Sequence, residues 1–152
     1  MTRKLAIALL TLGDPGRLTG GYLFHLRMAD RAARFDAQID FVSFPDVQFP
    51  LAALAAPRAL ERARRTGAVV LVLDSIAAAY LAVWSAIKPL DLPLVAMLHQ
   101  PPGGIDYAPP RLWVQRWLDK LAYRRVGRFL VASESLADEL IADGVPAGRS
   151  RL

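Results

Sequence analysis

Short apolar runs alternate with longer amphipathic stretches along the whole chain. Leu5–Leu10 is continuously apolar, the mark of a strand buried on both faces. Residues 37–44, 68–74, 93–99 and 128–132 read as four further strands, the third-from-last bounded by Asp74 and the next launched by Pro93. After Gly21 a helical period begins, with Arg27, Asp30, Arg31 and Arg34 on one side and Phe24, Met28, Ala32 and Phe35 on the other. Pro57 suits the first turn of a second helix that ends on arginines and a glycine stop, Gly67. Its Arg62, Arg64 and Arg65 read as a solvated end that complements the helix dipole. Residues 75–87 are apolar nearly all round, so that helix should be buried on several sides. A fourth helix is expected over 111–126. On a helical wheel its Val114, Trp117, Leu118, Leu121 and Ala122 form one arc, expected to pack on the sheet. The last helix has Ser133 or Ser135 as its cap and ends at Gly144, with Pro146 beyond. Strands alternating with helices predict an α/β domain: a Rossmann-like parallel β-sheet flanked by helices.

Composition narrows the class. A chain of 152 residues is one domain by size, large enough for a real core. It has no cysteine, which excludes disulfides, thiol nucleophiles and cysteine metal sites. No metal is called for by any motif. The N-terminal MTRK-LAIALL mimics a short signal peptide but lacks a clean small-residue cleavage site and reads as the first strand. Residues 68–87 carry a single charge, Asp74, and have the length of a membrane span. The β-branched AVVLVL, broken by Asp74-Ser75 and followed by alanines, favours strand plus helix. The net charge is +5, and its location is informative. Residues 111–128 hold six basic residues and one acid, while the rest of the chain holds thirteen of each.

Ligands of parallel sheets sit beyond the carboxyl ends of the strands. That edge should hold the 13–21 loop, Asp74, His99 and the 101–104 loop. A buried strand, a loop with Gly13, Gly16, Gly20 and Gly21, and a helix start together form a candidate anion site, because the first N–H groups of a helix lack partners. Gly20 and Gly21 would let a phosphate approach the backbone and would tolerate a left-handed conformation. The dinucleotide fingerprint and the Walker pattern are both absent. His99 ends a strand at this edge. His25 falls in the first helix's apolar arc, where a core role and a ligand-facing role are both open. Asp74 reads as a cap for the next helix, and Ser133 as another. Asp106 and Tyr107 lie in the Pro-rich loop over 100–110.

Taken in order, these pieces resemble the N-terminal half of a retaining family-4 glycosyltransferase of GT-B fold. The resemblance is carried by Gly20-Gly21 followed by His25, by 94–99 (LVAMLH), and by 131–140 (VASESLADEL). The stretch 144–152 resembles the lead-in to the strand before a second domain. It covers nearly all of the chain. It implies a nucleotide-sugar donor, no cofactor, and a sugar or lipid-linked acceptor bound by this domain. It implies that Gly20 and Gly21 face the donor phosphates, that His99 lies beside the transferred sugar, and that Gln100 stands where many relatives have an acid. His25, Asp74, Gln100, Asp106 and Tyr107 are the acceptor-binding candidates. The paired glutamates and donor-binding domain of such enzymes are not in this sequence, so the isolated chain is expected to fold but not to transfer sugar.

Two other readings stay open: a non-catalytic α/β module for a phosphorylated small molecule, and a nucleic-acid binder suggested by the basic segment. No nucleic-acid motif accompanies that segment, so no nucleic acid is expected. Arg116, Lys120 and Arg124 instead recur every four residues beside Trp113, as on a helix that touches an anionic membrane surface. The expected location is cytoplasmic, with peripheral contact to the inner face of the membrane, against the alternative of an ordinary solvated helix face.

Overall fold

The computed structural model of the protein describes residues 4–17 and 19–152. The strands are β1 (Leu5–Leu12), β2 (Ala37–Phe44), β3 (Val70–Asp74), β4 (Leu94–Leu98), β5 (Arg128–Val131) and β6 (Ser150–Arg151). The helices are α1 (Gly20–Ala32), α2 (Ala56–Arg65), α3 (Ala78–Ile87), α4 (Pro109–Tyr123) and α5 (Glu134–Ala142). Short 3-10 turns precede α2 and α3 and follow α1. The membrane-span alternative for 68–87 resolves into β3 and α3, and no helix among the described residues is long and apolar enough to cross a membrane.

The six strands form one sheet in the order β2-β1-β3-β4-β5-β6, and every pairing is parallel. The chain moves outward from β1 to β2, then jumps back over β1 to β3. The direction of winding therefore reverses between β1 and β3, the topological switch point where such sheets open a crevice. Right-handed crossovers put α1 on one face and α2–α5 on the other.

The core divides the same way. Ala8, Leu10, Leu71, Leu73, Ala96, Leu98 and Phe129 join the helices of the larger face in one continuous cluster. Leu9, Val72 and Met97 form a small cluster on the opposite face, with Met28 of α1 against it. Each fully buried leucine contributes about 1.5–3 kcal/mol relative to exposure. Most of that burial belongs to the larger face, which leaves the α1 face free to carry polar groups.

Three helical expectations need correction. Gly20 and Gly21 are the first turn of α1 rather than part of the loop before it, and neither has a positive φ. The inward face of α1 is Tyr22, His25 and Ala32, not an arc through Phe24 and Phe35. Phe24 is 51% exposed, and Phe35 lies past the helix end in a 3-10 turn. On α4 the buried positions are Gln115, Leu118, Asp119, Ala122 and Tyr123, while Val114 and Trp117 face solvent. The cause is lateral packing. Helix α4 lies along α3 as well as on the sheet, and Asp119 is drawn inward because its Oδ2 accepts the Gly103 N–H at 2.8 Å.

Candidate functional site

The period-2 alternation of the strands builds the site. On the α1 face, β1 presents Leu9 and then Thr11, β3 presents Val72 and then Asp74, and β4 presents Met97 and then His99 just past its end. Each apolar series therefore turns polar at the carboxyl edge. Thr11 donates from Oγ1 to Asp74 Oδ2 at 3.0 Å. Asp74 Oδ1 accepts the Ile76 N–H at 3.4 Å and so caps the turn that leads into α3, as expected. The same carboxylate lies with Oδ2 3.6 Å from His25 Nδ1. His25 Nε2 in turn sits 3.1 Å from His99 Nε2. A line of contacts thus runs from Thr11 through Asp74 and His25 to His99.

His25 is 0% exposed. Burial pushes its pKa below the usual histidine range, the Asp74 charge opposes that shift, and His99 adds to it. Phe24 packs in edge geometry against both imidazoles, 6.2 Å from His25 and 5.3 Å from His99 between centroids. The His99 backbone N–H donates to Ser75 Oγ at 3.3 Å.

Beyond this line lies a cavity of about 210 Å³, lined by Thr19, Gly21, Tyr22, Asp74, Ile76, His99 and Gln100. It occupies the switch point. The first intrahelical bond of α1 is from Leu23 N–H to Thr19 C=O, so the N–H groups of Gly20, Gly21 and Tyr22 point out of the helix end. No side chain caps that end, and no acidic residue stands in its first turn. A Cβ on Gly20 would meet nothing within 4 Å, and one on Gly21 would meet only His99 Cδ2 at 4.0 Å. The open space over these two residues is what glycine supplies here. Tyr22 OH donates to Leu12 C=O and ties the helix start to the end of β1.

The structure brings Gly21, Asp74, His99 and Gln100 to one cavity and puts His25 directly behind His99. Asp106 and Tyr107 do not line it. Tyr107 stacks under the Arg111 guanidinium at 3.7 Å, and Arg111 also lies over Phe49 at 5.0 Å. Thr11 was not among the residues expected from sequence. Its signal is the parity it shares with Asp74 and His99, a polar residue closing an apolar strand series.

The basic row on α4 is not free. Asp143, just past α5, accepts from Lys120 at 2.8 Å and from Arg116 at 3.1 and 3.2 Å. Burial pushes the Asp143 carboxyl up, and the two cations outweigh it, so its pKa falls below the ordinary value. Trp113 and Trp117 stand exposed on the outer face of α4, and Arg124, just past its end, is exposed as well. Ser133 caps α5 as expected, accepting the Leu136 N–H at 3.2 Å.

A family model described as Glycosyltransferase Family 4 matches residues 5–152. Among solved structures the chain is similar to one described as lipopolysaccharide outer core galactosyltransferase WaaB, apo form, with a TM-score of 0.71 at 9% identity. That match covers 97% of this chain and 44% of the other, so the chain spans less than half of that structure's length. At such an identity the likeness is one of fold. No curated protein matches the chain in sequence.

Proposed function

The chain belongs to glycosyltransferase family 4, and from that premise we propose that it is the acceptor-binding half of an enzyme that moves a sugar from a nucleotide-sugar donor to a hydroxyl. Its fold is the one expected, a parallel α/β sheet with helices on both faces, as in one domain of a GT-B glycosyltransferase. The observation that carries the functional reading is the cavity at the switch point. One wall is an uncapped helix N-terminus that suits a diphosphate, and His99 stands beside it in the same cavity, its Cδ2 4.0 Å from where a Gly21 Cβ would lie. Gly20 and Gly21 take the leaving diphosphate, and His99 with Gln100 meets the transferred sugar. Asp74 works from behind, and Asp106 and Tyr107 meet the acceptor from the neighbouring loop. Catalysis is electrostatic, by backbone donors aimed at charge that develops on the leaving group. No cofactor takes part. A second domain, supplying cations and carboxylates for the donor, completes the site.

The test is a turnover assay with radiolabelled nucleotide sugars and a panel of sugar and lipid-linked acceptors. The 152-residue chain alone should give no transfer, and transfer should appear when the donor-binding half is present. Turnover by this chain alone would sink the half-site reading.

A second element of the reading concerns location. Trp113 and Trp117 are exposed on the outer face of α4 and Arg124 follows at its end, an arrangement that suits a helix resting in an anionic membrane surface. The proposed enzyme is cytoplasmic and touches the membrane through this face, which would suit a lipid-linked acceptor.

A further inference from the structure

We infer that His25 is a positioning residue that sets the tautomer of His99 and leaves His99 Nδ1 as a hydrogen-bond acceptor. This rests on the placement of His99 at the reaction site and deepens it by naming the group His99 takes, a hydroxyl.

Two imidazole nitrogens 3.1 Å apart must share one proton, since two N–H groups or two lone pairs would repel. The direction of that bond follows from the far side of His25. Its Nδ1 is fully buried and has no hydrogen-bond partner at ordinary distance. The nearest polar group is Asp74 Oδ2 at 3.6 Å. Thr11 holds Oδ2 and the Ile76 N–H holds Oδ1, so the carboxylate cannot turn away. A lone pair on Nδ1 facing that carboxylate would be two electron-rich groups in a dry interior. A proton on Nδ1 turns the same contact into attraction. Burial disfavours a second proton on His25, in line with its lowered pKa. Its Nε2 is therefore a lone pair, and the shared proton comes from His99 Nε2.

His99 Nδ1 is then left bare, on the ring nitrogen that His25 does not engage. His99 is part of the cavity wall, and a group that meets it at Nδ1 must donate. A sugar hydroxyl does so, while a phosphate oxygen or carboxylate does not. Phe24 packs against the His99 ring, and Ser75 Oγ accepts from the His99 backbone N–H.

The chain has only two histidines, which makes the test direct. Long-range proton–nitrogen NMR on the full chain with 15N-labelled histidine reports which ring nitrogen carries each proton. The expected result is His25 protonated at Nδ1 and His99 at Nε2. A proton on His99 Nδ1, or a doubly protonated pair at neutral pH, overturns the inference. His25→Gln keeps a carbonyl that accepts from His99 and should keep the Nε2–H form. His25→Phe removes the acceptor and should let both His99 tautomers appear. An unchanged His99 tautomer in a folded His25→Phe chain overturns the positioning role, and if that variant does not fold the wild-type spectrum decides alone. Turnover of the complete enzyme should drop at least tenfold in His25→Phe and recover in His25→Gln. A tautomer that shifts while turnover holds would leave the inference about the ring intact and remove His99 from the reaction site.

Discussion

Helices α1 and α4 each bury a titratable side chain, His25 and Asp119, and the two lead to different places. The contacts of His25 run from Asp74 out through His99 to an open cavity. Those of Asp119 stop inside the protein. Its Oδ2 accepts the Gly103 N–H, and its Oδ1 has no partner, like Gln115 Oε1 and Tyr123 OH four residues to either side. Gly103 sits at φ +98, where a Cβ would fall 3.0 Å from Leu112 Cδ1, so the loop that Asp119 anchors is tightly specified. Burial moves both groups toward neutrality, which lowers the pKa of the histidine and raises that of the acid. The difference teaches where to look for function. Burial and a shifted pKa are common to both, and only a line of partners that reaches open space marks the site.

The largest effect expected from this contrast is on stability against pH. Burial pushes the Asp119 carboxyl from 3.8 up to about 7, with the backbone N–H of Gly103 opposing. Below about pH 4 both folded and unfolded chains hold the proton. Between about 4 and 7 only the folded chain holds it, so stability should fall as pH rises, by on the order of 4 kcal/mol in total. His25 has the opposite sign, because its folded pKa is lowered, and its share of stability is lost as pH falls through the unfolded value of 6.5. Denaturant titrations of wild type and Asp119→Asn from pH 4 to 8 separate the two. The variant should lose the falling slope and keep the histidine's rising one. An unchanged slope would mean that Asp119 is ionised in the fold.

The next effect is on chemistry. In the complete enzyme His99→Ala should lower turnover by about 100-fold, the scale of removing one group that meets the reacting centre. Gly21→Val should follow at about 10-fold or more, because its methyls enter the cavity beside His99, while Gly21→Ala fits in the 4.0 Å available and should act nearly as wild type. Asp119→Asn should leave turnover within about threefold of wild type at a pH where both are folded. Kinetics at saturating donor settle the ranking. A greater loss in Asp119→Asn than in His99→Ala would invert the distinction drawn between the two helices.

The smallest effect concerns the outer face of α4. Each cation near an anionic surface contributes about 1 kcal/mol, and Asp143 already engages Arg116 and Lys120. Liposome co-sedimentation should show binding that needs anionic lipid and fades with salt. It should drop more in Trp113→Ala/Trp117→Ala than in Arg116→Gln. Equal binding to neutral liposomes, or none to anionic ones at low salt, would return this face to ordinary solvent.

Five of the six strands were legible in the sequence, because a parallel strand buried on two faces is apolar at most positions, as in Leu5–Leu10 and residues 93–99; the two-residue β6 (Ser150–Arg151) carries no such run and was not expected. The caps at Asp74 and Ser133 were legible too, since a cap needs only its own turn. The inward sides of α1 and α4 were not. A helical wheel ranks residues by hydrophobicity, so it drew Phe24 and Phe35 into the α1 arc beside His25 and chose Trp117 over Gln115 and Asp119. What turns those polar residues inward is a partner far away in sequence: Asp74 and His99 for one helix, Gly103 for the other. Sequence alone therefore determined the order of the main elements, the parallel sheet and the edge at which Asp74 and His99 lie, because each follows from local periodicity and strand chemistry. Only the tertiary structure decided that Thr11, Asp74, His25 and His99 form one line and that Arg116 and Lys120 are held by Asp143. Those facts depend on the distance between side chains that the chain separates by 23 to 74 positions, and no local pattern encodes it.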